Sequence, residues 1–140
     1  MRHRPLGPAV TRTVACLDGL DPAYLDAAPT PAWDRIAAAG ATGTCEGLVP
    51  TLTNVNNVGI ATGRPPAATG IAGNSRHDGA GGETYTEADG SRVETHLARA
   101  AADGADAVVL VAKAKLEGLV GAGAGYVASA ESPPAALERA

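Results

Sequence analysis

The chain has 140 residues, with 11 Lys+Arg against 15 Asp+Glu for a net charge of −4. That balance excludes a strongly basic nucleic-acid binder, and the length leaves room for one domain of ordinary size. Hydrophobic residues at 45% exclude compositional disorder, but aromatics at 3% with no Phe leave a thin core.

Taken in chain order, the first ten residues are broken by Pro5, Gly7 and Pro8 and read as a flexible arm. Thr11 to Leu17 (TRTVACL) is apolar and β-branched, which predicts a buried strand ending at Asp18-Gly19. Thr30-Pro31 places a cap residue before a Pro at the first helical position, so a helix is expected over Ala32 to Ala39, stopped by Gly40. Ala41 to Val49 reads as a second strand, closed by Pro50. Asn54 to Thr62 is the next helix, stopped by Gly63 with Pro65-Pro66 beyond. Residues 75–90 belong to a Gly-rich loop that has room for a hairpin. Arg92 to Ala102 predicts a helix, with Ser91 as N-cap and Glu94 completing a capping box. Asp106 to Ala112 (DAVVLVA) is the clearest buried strand, Leu116 to Val120 a short helix, and Tyr126 to Ala130 one more strand. A last helix opens at Pro133 and runs to Ala140.

Strands alternating with helices predict an α/β fold, a mostly parallel sheet flanked by helices. So few strands leave two costly sheet edges, and the chain is expected to be the front part of a longer one. No apolar run reaches the roughly 18–20 residues that span a bilayer, and no signal peptide is read, so the expected setting is cytoplasmic and away from membranes. Cys16 and Cys45 sit in apolar runs and are expected to be buried, reduced thiols.

Two places carry chemistry. Asp18 falls where a strand ends, the position at which open α/β sheets bind ligands, and a carboxylate before Gly19 can serve either a turn or a metal. Thr53 falls at a helix N-terminus, where free N–H groups and the helix dipole favour an anion. Its hydroxyl reads either as a plain N-cap or as a nucleophile whose alkoxide needs help.

The runs CLDGLDPAYL (16–25) and PTLTNVNNVGIATGRPPAATGIAGN (50–74) resemble the alkaline phosphatase superfamily. The nearest likeness is to the phosphonoacetate hydrolases, beside the nucleotide pyrophosphatase/phosphodiesterases. Four elements occur in the family's order: Asp18-Gly19, Thr53, the T-G-x-x-P-x-x-x-G-I segment from Thr62 to Ile71, and Asn74. The resemblance covers roughly residues 11–120 and implies that 1–140 is the N-terminal portion of an alkaline-phosphatase-like domain. It further implies a two-zinc site in which Asp18 ligates one metal, Thr53 attacks phosphorus and contacts the metal, and Asn74 donates to a phosphoryl oxygen. In such a site the metals clamp the entering and leaving oxygens.

Lys113 and Lys115 follow the strand VVLVA, and in extended chain they would share a face. The segment AKAKLEGLVG resembles the phosphonoacetate hydrolases, where paired lysines hold the substrate carboxylate. Cleaving a carbon–phosphorus bond leaves a carbanion, and two cations stabilise the charge that moves onto the carboxylate. Without that resemblance the pair reads as surface lysines beside Glu117.

The chain departs from the family twice. Ser75-Arg76-His77-Asp78 stands where relatives often carry aromatic residues. The later Asp and His motifs that complete the zinc set are missing, and His3, His77 and His96 lack ligand spacing. The expected function is a metal-dependent hydrolase of phosphonoacetate, acting on a small phosphonate or phosphate ester, with homo-oligomerisation left open. The alternatives are a non-catalytic fragment of that family, a phosphodiesterase or phosphomonoesterase of the superfamily, and a phosphate-binding module without chemistry.

Overall fold

A computed structural model describes residues 12–77, 79, 83–84 and 90–131, which form parts of two compact units, 1–44 and 45–140. The expected N-terminal arm and the helix from Pro133 lie outside the described residues.

In the first unit, residues 12–17 run irregularly into a turn at Asp18-Gly19, where Gly19 takes φ +82°. Helix α1, Pro22–Ala27, follows; Asp21 caps it by accepting from the Ala23 N–H at 2.9 Å, with Pro22 at the first helical position. Helix α2, Pro31–Ala39, lies where Thr30-Pro31 predicts it, and Gly40 ends it. The strand expected over Thr11 to Leu17 does not form among the described residues: 12–17 join no ladder, and Val14 and Leu17 are exposed. Cys16 and Cys45 are also exposed and unbridged, against the expectation of buried thiols. An apolar run becomes a buried strand only where a second strand takes up its N–H and C=O groups, and among the described residues these segments have none.

The second unit holds the core. Residues 45–48 are irregular rather than the end of a strand, and they are tied down by a side chain: Asn56 Oδ1 accepts from the Leu48 N–H at 2.9 Å while Asn56 Nδ2 donates to the Leu48 carbonyl at 3.2 Å. An asparagine amide thus supplies both hydrogen bonds that a neighbouring strand would make. Helix α3, Thr53–Thr62, and the one-turn helix α4, Pro66–Thr69, come next. Strands β1, Ser75–Arg76, and β2, Glu83–Thr84, pair antiparallel, so the Gly-rich segment does contain a hairpin.

Helix α5, His96–Ala102, starts a turn later than expected. Ser91 Oγ accepts only from the Val93 N–H, a local turn, and Glu94 pairs with Arg99 at 3.6 Å instead of closing a capping box. The cap is Thr95, buried, which accepts from the Ala98 N–H at 3.0 Å and donates to the Ala122 carbonyl.

Strand β3, Val108–Val111, crosses through helix α6, Lys115–Gly121, to strand β4, Tyr126–Ser129. The two strands pair in parallel with Val108 opposite Tyr126 and Val111 opposite Ser129. This βαβ unit is the parallel sheet that the strand–helix alternation predicts. Its α6 presents Leu116, Leu119 and Val120 to Val58 of α3, Ile71 and Val109, which together make the core. β3 is buried on one face only: Val109 is 5% exposed, but Val108 and Leu110 are 56% and 69% exposed. Four branched apolar residues in a row predict burial on both faces, and only one face finds a partner among the described residues.

Candidate active site

The irregular segment ending at Pro50 delivers the chain to α3 at Thr53. Leu52 occupies the N-cap position and has no side chain to cap with. Thr53 is therefore the first helical residue, one position past the N-cap. The missing acceptor comes from 20 residues away: Asn74 Oδ1 accepts from the Asn54 backbone N–H at 3.0 Å, and the Asn54 amide donates back to the Asn74 carbonyl at 3.4 Å.

This clasp fixes which way the Asn74 amide faces. An N–H must meet an oxygen, so Oδ1 points at the helix and Nδ2 is the end left for another acceptor. Asn54 is completely buried, and its own Oδ1 has no hydrogen-bond partner among the described residues. An unmet buried acceptor costs stability.

The segment between Thr53 and Asn74 explains how the chain returns. Thr62 is buried and donates to the Val58 carbonyl at 2.7 Å, and Gly63 ends α3 in the left-handed region at φ +66°. Pro66 then opens α4, and Gly70, at φ +79°, stops it after a single turn. Thr69 Oγ1 accepts from the Ile71 N–H at 3.2 Å, and Ile71 plugs the core at 1% exposure. Helix, left-handed stop, helix and left-handed stop thus fold the T-G-x-x-P-x-x-x-G-I stretch into a U-turn. Its end places Asn74 at the mouth of the helix that Thr53 opens.

The lysines lie at the carboxyl end of β3. Lys113 is exposed in the loop, and Lys115 is the half-buried first residue of α6. Ala114 between them is helical, at φ −54° and ψ −37°, so they flank a turn and are not neighbours in extended chain as expected. The Lys113 carbonyl accepts from the Leu116 N–H at 3.0 Å and the Ala114 carbonyl from the Glu117 N–H at 2.9 Å. Among the described residues neither ammonium group forms an ion pair within 4 Å with Glu117 or any other carboxylate.

Asp18 lies in the first unit, in the turn before α1. Burial, and after it the Asp18 carboxylate, raises the Cys16 thiol above its ordinary value. His77 Nδ1 accepts from the Gly79 N–H at 2.9 Å, and His96 packs its ring near Gly63; His3 lies outside the described residues. Among the described residues no three His, Cys, Asp or Glu side chains gather to hold a metal. Asp18 belongs to the first unit and Thr53 to the second, and each zinc takes about four ligands. The described residues alone do not fit the expected two-zinc site. No helix among them is long and apolar enough to cross a membrane.

The sequence reading missed the structural duties of the asparagines in α3. Three Asn in the first turns of a helix are poor helix formers, and that composition is itself the signal that their side chains bond elsewhere.

A sequence model of the type I phosphodiesterase / nucleotide pyrophosphatase family matches residues 14–137. Two crystal structures of phosphonoacetate hydrolase from Sinorhizobium meliloti 1021 also match, one in complex with phosphonoformate and one with phosphonoacetate. They superpose with TM-scores of 0.69 and 0.68 at 39% identity. Each match covers 77% of this chain and 28% of the other, so the chain spans little more than a quarter of the length of those enzymes.

Proposed function

Because the chain belongs to the type I phosphodiesterase / nucleotide pyrophosphatase family, we propose that it forms the nucleophile- and substrate-binding portion of a phosphonoacetate hydrolase. The observation that carries this reading is the Asn74–Asn54 clasp, which sets an amide donor at the mouth of α3 beside Thr53. The likeness to two phosphonoacetate hydrolase structures at 39% identity supports the choice of substrate.

In this reading the Thr53 oxygen bonds to phosphorus as the carbon–phosphorus bond breaks. The electron pair passes to the methylene carbon and delocalises onto the carboxylate; the proton lost from the Thr53 hydroxyl is balanced by the one taken up at that carbon, which yields acetate. Water then releases phosphate from the threonine. The positive end of α3 favours the charged oxygens of this step. Asn74 Nδ2 donates to a phosphoryl oxygen, held in place by its own Oδ1. Lys113 and Lys115 meet the substrate carboxylate, where charge grows as carbon leaves. Asp18 is this chain's share of a metal site whose remaining ligands the described residues do not supply; zinc is the metal that the family resemblance implies. The exposed, unbridged Cys16 and Cys45 fit a reducing, cytoplasmic compartment.

The test is phosphate release from phosphonoacetate and from a carboxylate-free aryl phosphate by the protein that carries these residues. Thr53→Ala is expected to abolish release from both while leaving the unfolding transition in place. Turnover retained in that variant removes Thr53 from the nucleophile role. Preference for the aryl ester in the unaltered protein favours a phosphomonoesterase instead.

A further inference from the structure

We propose that Glu131 is a positioning residue for the lysine turn: its carboxylate holds the Ala114 backbone so that Lys113 and Lys115 stand ready for the substrate carboxylate. The inference deepens the phosphonoacetate reading and rests on it. Nothing in the motifs singles out Glu131, which lies 16 residues beyond Lys115 in sequence.

The geometry comes from the parallel pair. β4 runs beside β3 to the Val111–Ser129 pairing, and the Ala130 N–H extends the ladder by one bond, donating to the Val111 carbonyl at 3.0 Å. The next residue is Glu131, which therefore emerges level with the loop that follows β3. Its Oε2 accepts from the Ala114 N–H at 2.7 Å. A bond of that length from a backbone amide to a carboxylate is charge-assisted, and it is stronger than a neutral one. It falls on the N–H of Ala114, the residue between the two lysines.

The turn has few other restraints. Ala114 has no side chain with which to anchor itself, and Lys113 is exposed. The carbonyls of Lys113 and Ala114 are taken by the first turn of α6, but the Ala114 N–H precedes any helical acceptor and has Glu131 alone. Removing that acceptor frees the turn to sample other backbone angles. The two ammonium groups then have to be ordered when substrate binds, which weakens binding. Glu117, on the first turn of α6, is the other carboxylate beside the turn, and its Oε1 is buried without a partner, so it does not substitute for Glu131.

The experiment compares Glu131→Ala and Glu131→Gln in the full protein. Glutamine keeps an acceptor oxygen and loses the charge. For Glu131→Ala the KM for phosphonoacetate, taken relative to that for a carboxylate-free aryl phosphate, is expected to rise about tenfold, with kcat changing far less. Glu131→Gln is expected to recover most of that ratio. Amide exchange at Ala114 gives a readout independent of activity: faster in Glu131→Ala, and close to the parent in Glu131→Gln. An unchanged KM ratio and unchanged Ala114 exchange in Glu131→Ala would overturn the assignment. So would equal losses on both substrates, which mark a general loss of structure. If the parent protein hydrolyses no phosphonoacetate, the functional reading fails, and the exchange arm still decides whether Glu131 orders the turn.

Discussion

Replacing Asn74 separates the clasp to Asn54 from the phosphoryl contact proposed for the same side chain. In Asn74→Ala the Asn54 N–H loses its acceptor at 3.0 Å, on a residue with no exposed surface. A buried donor left unmet costs about 1–3 kcal/mol, and loss of a helix cap costs about 0.5–2 kcal/mol; these are two views of the same loss and do not add. With a urea slope of about 2 kcal/mol/M, the midpoint should fall by about 0.5–1.5 M. Asn74→Asp behaves differently. Its carboxylate still accepts from Asn54, and a negative charge at the start of α3 is worth about 0.3–1 kcal/mol. Stability at neutral pH should match or exceed the parent. Activity should nevertheless be lost, because the amide donor is gone and a carboxylate faces an anionic phosphoryl group. Urea denaturation and phosphate release, run on both variants, read the two duties independently. A shift below about 0.3 kcal/mol in Asn74→Ala, or an Asn74→Asp as unstable as the alanine variant, would refute the clasp.

Gly121 closes α6 directly over β4, where an added Cβ would lie 2.7 Å from Val127 Cγ1 and 2.9 Å from its Cγ2. Because valine is stiff at χ1, Gly121→Ala is expected to destabilise by about 1–3 kcal/mol in thermal unfolding, and Val127→Ala should relieve most of that in the double variant. Lys113→Ala and Lys115→Ala should each raise the KM for phosphonoacetate several-fold more than for a carboxylate-free aryl phosphate; equal losses would contradict a carboxylate clamp. Burial and, second, the Asp18 carboxylate raise the Cys16 pKa, which leaves less thiolate at a given pH. Asp18→Asn removes the second cause, so alkylation of Cys16 at mildly alkaline pH should speed up, as followed by mass spectrometry.

The elements legible in the sequence are those whose signals are local. Thr30-Pro31 and Gly40 bracket α2, Gly63 stops α3, and the VVLV run gives β3, because caps, stops and branched apolar runs act on their own neighbours. The same rules overlook α1, although Asp21-Pro22 is a cap followed by a Pro. They choose Ser91 over Thr95 because Glu94 completes a capping-box pattern; the winning hydroxyl is the one that is buried and anchored to Ala122, a contact 27 residues away. The predicted strands at 11–17 and 41–49 fail for the converse reason. Branched apolar residues report a preference for a pleated surface, not the presence of a neighbour to pair with. At the site, motifs mark Thr53, Asn74 and the lysines, but the Asn74–Asn54 clasp and the Glu131 contact depend on the U-turn and on β-strand register, which no short window of sequence contains.

The amide bracket between Asn56 and Leu48 has a practical corollary. The approach to α3 is fastened by a side chain of α3 itself, so Asn56 holds the Leu48 backbone where a neighbouring strand would otherwise do so. A chimera that transplants this threonine into another α/β host should therefore be cut ahead of Cys45. A junction inside 46–52 would sever the fastening and leave the hydroxyl swinging on a loose hinge.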